Sequence, residues 1–85
     1  MTKNLESFKT VLRHLEVRSH MLRENLDSRG ASYEEKIKMS IMYEAEEAGV
    51  IEAAMYILSR KEYYILRDFE RELDIVEIPH FSRNA

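Results

Sequence analysis

The sequence contains no cysteine and no tryptophan, and only one proline and two glycines among its 85 residues. Without cysteine there is neither a disulfide staple nor a thiolate metal site. With so few turn-forming residues, a β-sandwich or barrel is excluded, since such folds turn back about every 8–12 residues. No apolar run approaches the roughly 20 residues of a membrane span, and the opening MTKNLESFK lacks the apolar core of a secretion signal. A soluble, cytoplasmic protein is the expectation, with no membrane partner. Positive charge is not in excess either: 13 basic residues face 16 acidic ones, for a net charge of −3. Such a chain has no overall attraction for a phosphate backbone, so nucleic acid is not the expected partner.

What remains is rich in Leu, Glu, Arg, Met and Ala, the residues that lose least on entering a helix. An all-α fold follows. A single domain of this size buries only roughly 60–65% of the surface its unfolded chain exposes. Self-association is then the simplest remaining source of buried area. The sequence predicts a helical hairpin with a third helix, completed as a dimeric helical bundle. Residues 1–75 form the helical domain, with helices over 4–27, 33–58 and 60–74, and residues 76–85 form an extended C-terminal arm.

The first helix shows one clear face. Leu5, Phe8, Leu12, Leu15, Leu22 and Leu26 recur at three- and four-residue steps, with Ser19 in the seam and Val11 widening it. His14, Val17 and Met21 form a second, smaller patch pointing away from the leucines. DSRGASYEE then reads as a stop and a restart: Gly30 suits a left-handed C-cap, and Ser32 with Glu35 makes a capping box.

The second helix is less ordinary. A main stripe runs through Ile37, Ile41, Ala45, Ala48, Ile51, Met55 and Leu58, and this is the expected core face. Met39, Val50, Ala53 and Ile57 occupy the far side, so Ala48 to Leu58 has almost no polar flank. A helix apolar all round has to be covered all round, which one short chain cannot do alone. Glu44 is the one charge set within the main stripe. Ser59 and Glu62 repeat the S-x-x-E signature, with Leu58 and Tyr63 placed as a hydrophobic staple, which argues for a break and a third helix. Beyond it Pro79 ends any helix, and Val76, Ile78 and Phe81 give the arm apolar teeth.

Groups that do chemistry are sparse. His14 and His20 stand six apart and face different ways, so they are not a metalloprotease pair. Glu16, His20 and Glu24 share one face, a spacing as common on solvated helices as in metal sites. Glu77 and His80 match a Glu-x-x-His pair only across Pro79. There is no nucleophile elbow, P-loop or glycine-rich phosphate cradle. No catalytic residue, cofactor or metal is expected, and the protein is read as not an enzyme.

Residues 41–60, IMYEAEEAGVIEAAMYILSR, resemble the helix-turn-helix of bacterial repressors. Ala45, Ala48, Gly49 and Val50 stand where that family places its small residue, an apolar residue, the turn glycine and the apolar residue after it. Met55 and Leu58 stand at buried positions of the recognition helix. The resemblance implies a small DNA-binding transcriptional regulator. It departs from the family at Glu44, a position normally apolar. The implied reading face carries Ile51, Glu52, Ala53, Tyr56 and Ile57, with Arg60 at its end, whereas base edges are read mainly by Arg, Lys, Asn and Gln.

Packing accounts for the same residues more directly. Ala45, Gly49 and Ala53 make a smooth strip on which another backbone can approach closely. The leading expectation is therefore a small non-enzymatic protein–protein interaction module, an adaptor or inhibitor, acting through apolar helix faces as a homodimer. Its interface is expected at Ala45, Gly49, Val50, Ala53, Ile57, Tyr63 and Tyr64, with His14, Val17 and Met21 as a secondary patch and a further protein as partner.

Overall fold

The structure is a computed structural model that describes residues 2–75. It is all-α: α1 spans Thr2–Ser28, α2 spans Tyr33–Ile57 and α3 spans Arg60–Arg71. The arm predicted at 76–85, with Val76, Ile78 and Phe81, lies outside the described residues.

The turn from α1 to α2 is built by the residues that announce it. Gly30 adopts φ 67°, a left-handed conformation that side-chain-bearing residues avoid. Its N–H donates to the Asp27 carbonyl, and the Ala31 N–H donates back to Leu26 at 2.9 Å, completing a Schellman motif. Ser32 then caps α2, accepting from the Glu35 N–H while the Glu35 carboxylate accepts from the Ser32 N–H. Lys36 reaches back to Asp27 at 2.7 Å and ties the two helix ends together.

The expected break at Ser59 is present. α2 ends at Ile57, Leu58 turns extended at φ −86°, ψ 154°, and the Ser59 hydroxyl accepts from the Glu62 N–H to start α3. Leu58 is buried, and Tyr63 packs onto the same cluster. α3 stops at Arg71, three residues short of the predicted end, where the Leu73 N–H turns back onto the Glu70 carbonyl.

Two clusters make the core. At the open end of the hairpin, Leu5 and Leu12 of α1 meet Ile51, Ala54 and Leu58 of α2 and Leu66 of α3. Near the turn, Leu15 and Leu26 meet Met39 and Tyr43, with Ile75 packed alongside. α3 is short, so it covers only the first half of α1. The leucine seam predicted for α1 is the buried one, including Ser19, which is fully enclosed and donates its hydroxyl to the Glu16 carbonyl.

α2 corrects the expectation. Its buried residues are Met39, Ser40, Tyr43, Ile51 and Ala54. Of the predicted main stripe only Ile51 and Leu58 are buried and Ile37 is half-buried, while Ile41, Ala45, Ala48 and Met55 face solvent together with Glu44. The helix has turned a different flank inward, because Tyr43 fills the space beside Leu15 and Leu26 that no alanine could. The helix-turn-helix expectation is corrected as well. Gly49 lies inside α2, which runs without a turn through residue 57, so the bend that the resemblance implies is not formed.

Candidate interaction surface

Two flanks of the α1–α2 pair differ. On one, Lys9 and Arg13 of α1 lie over the Phe69 ring of α3, at 5.5 and 4.9 Å from its centroid. Farther along the same flank, the segment after α3 runs beside Glu16 and His20. The other flank is open. There Phe8, Val11, Leu15 and Arg18 of α1 and Glu46, Gly49, Val50 and Ala53 of α2 enclose a groove of about 360 Å³. It continues at Phe8 and Val11 into a second hollow of about 250 Å³ that reaches Ile57.

Arg18 closes one end of this groove. Its guanidinium donates to both carboxylate oxygens of Glu46, at 3.1 and 3.3 Å, and lies over the Tyr43 ring. This pair ties α1 to α2 across 28 residues of sequence. Screened by water, it contributes geometry more than stability.

The predicted interface residues are only partly brought together. Gly49, Val50, Ala53 and Ile57 line the open groove and its continuation. Ala45 is exposed one turn earlier on the same helix. Tyr63 and Tyr64 are elsewhere, at a separate hollow with Met55, Leu58 and Arg60 beside the helix break. Their rings meet edge to face at 5.7 Å. Tyr63 is half-buried and its hydroxyl accepts from Arg67, whereas Tyr64 is exposed. His14, Val17 and Met21 are all exposed on α1, away from both partner helices, and join none of these hollows.

Several surface residues beside Ile57 are not among those predicted for the site. Tyr56 is 79% exposed, Ile41 56% and Met55 52%, with Met42 and the small Ala48 beside them. The sequence carries them as the seven-residue spacing of Ile41, Ala48 and Met55, a pattern that reads equally as a core stripe. A chain of this size rarely leaves so much contiguous apolar surface in water without using it.

The carboxylates around the α1–α2 turn are perturbed. Asp27 is held below its ordinary pKa, chiefly by the hydrogen bond from Lys36. Glu35 is lowered too, first by the Ser32 backbone N–H and then by the Arg29 charge. Both effects belong to the caps and point to no proton-transfer role. Among the described residues, no three His, Cys, Asp or Glu side chains come together as a metal-binding group. Nor is any helix there long and apolar enough to cross a membrane. Glu16 and His20, on the face considered for a metal, are both engaged with Asp74.

No protein-family model matches the chain, and comparisons with curated proteins and with solved structures likewise find no match.

Proposed function

We propose that this protein is a small non-enzymatic protein–protein interaction module, of the adaptor or inhibitor kind, that works as a pair of chains held through α2. The observation that carries this reading is the solvent-facing side of α2. From Ile41 to Ile57 it offers Ile41, Met42, Ala45, Ala48, Gly49, Ala53, Met55, Tyr56 and Ile57 to water, with Glu44 and Glu52 the charges among them that face fully outward. Burying such a face contributes about 25 cal/mol for each Å² of apolar surface removed from water. Aromatic and methionine side chains are also the residues that interfaces favour. Charged neighbours at its rim would select the partner.

Sedimentation equilibrium across the micromolar range tests this. The wild-type chain should associate, and Ala53→Arg should shift it to monomer or aggregate while circular dichroism shows the helices intact. A wild-type chain that stays a well-folded monomer at high concentration would overturn the reading.

A further inference from the structure

The uncovered face of α2 carries a two-fold pattern. Ala45 is the middle residue of Tyr33–Ile57. Lys38 stands seven residues before it and Glu52 seven after; Ile41 and Met42 stand four and three before, Ala48 and Gly49 three and four after. At 100° per residue, all six lie within about 60° of the direction in which Ala45 points. All are exposed. Thus, between Lys38 and Glu52, large residues precede the centre where small ones follow it, and a cation precedes where an anion follows.

That arrangement is complementary to itself when reversed. In an antiparallel pair related by a two-fold axis, each side chain meets the residue on the same flank of the other helix that lies as far beyond the centre, to within one position. Ile41 then falls on Ala48 of the second copy, Met42 on Gly49 and Lys38 opposite Glu52. A Cβ built on Gly49 meets nothing within 4 Å in the single chain, so its notch is open to receive Met42. Among the described residues, none of the ion pairs includes Lys38 or Glu52. Centring on Ala45 also overlaps the two helices along their whole length of about 37 Å. A parallel pair would instead set Lys38 on Lys38, Glu52 on Glu52 and small residues on small residues, leaving a gap between the helices.

We infer that two copies of this chain pair through the outer face of α2, antiparallel, with the two-fold axis at Ala45. This rests on the association proposed above and adds its orientation and register. Lys38 and Glu52 set the register, and Ala45 allows the helices to approach closely.

Charge reversal tests the register. Lys38→Glu and Glu52→Lys each turn two attractive pairs per dimer into repulsive ones and should weaken association about ten-fold. Mixing the two variants should recover it, since every pair in the heterodimer is again opposite in sign. The double variant should recover it as well. Because the chain has no cysteine, single cysteines give a second readout. Ala45→Cys should cross-link readily under mild oxidant, whereas Tyr56→Cys should not, its two copies lying about 33 Å apart along the helices. If the wild type dimerises but mixing and the double variant fail to recover affinity, or both cysteines cross-link alike, the antiparallel register is wrong while the association stands. A wild type that never dimerises removes both.

Discussion

The Glu16 carboxylate of α1 accepts the backbone N–H of Asp74 at 2.8 Å, joining residues 58 apart in sequence. Four residues along α1, His20 Nε2 donates to the Asp74 carbonyl at 2.6 Å. Together these side chains hold the segment after α3 by its backbone and set Ile75 against Leu15 and Leu26. Glu16→Ala removes the acceptor and should cost about 1 kcal/mol, the usual net worth of one hydrogen bond. Amide exchange at Asp74 and Ile75 should quicken far more than exchange in α1, which separates release of this segment from general unfolding.

Leu66 is fully buried where all three helices meet, and Leu66→Ala should cost about 2–5 kcal/mol through the cavity it leaves. That is a large share of what a small domain has. Ile41→Ala, on the exposed outer face, should change the stability of the monomer by no more than about 0.5 kcal/mol. It should nevertheless weaken self-association. Thermal melts at low concentration and sedimentation at high concentration report the two effects separately.

Gly49→Ala distinguishes the helix from the interface. Within α2 alone the added methyl meets nothing within 4 Å, and alanine should stabilise the fold by about 1 kcal/mol. In the antiparallel pair the same methyl narrows the notch facing Met42. A higher melting temperature at low concentration should therefore accompany weaker dimerisation.

Acid should loosen the α1–α2 turn. Asp27 and Glu35 titrate below their ordinary values of 3.8 and 4.5, through the Lys36 and Ser32 hydrogen bonds respectively. A lowered folded-state pKa means that the stabilisation is fully present above those ordinary values and is lost as pH falls through the lowered ones. The doubly substituted Asp27→Asn, Glu35→Gln protein should lose less melting temperature than wild type between about pH 5 and pH 2.

The two breaks between helices were legible because each is encoded by a local device. Gly30, the Ser32–Glu35 box and Ser59 act within a few residues of themselves, and all three do what their types imply. The open groove was only half legible. Its α2 side, Gly49, Val50 and Ala53, stood out as small and apolar, but its α1 side, Phe8, Val11 and Arg18, becomes a wall only once the two helices are side by side. The Glu16–Asp74 link had no local signal at all, since neither residue indicates a partner so distant in the chain.

By itself the sequence determined that this chain is helical, where the breaks between its helices fall, and which side of α1 is buried, because α1 carries one leucine face against a polar remainder. Only the tertiary structure decided which side of α2 turns inward. Periodicity locates a buried face through contrast between apolar and polar flanks, and α2 has little contrast to offer. Volume chose instead: Met39 and Tyr43 fill the space against Leu15 and Leu26, and the stripe of Ile41, Ala45, Ala48 and Met55 is left facing water.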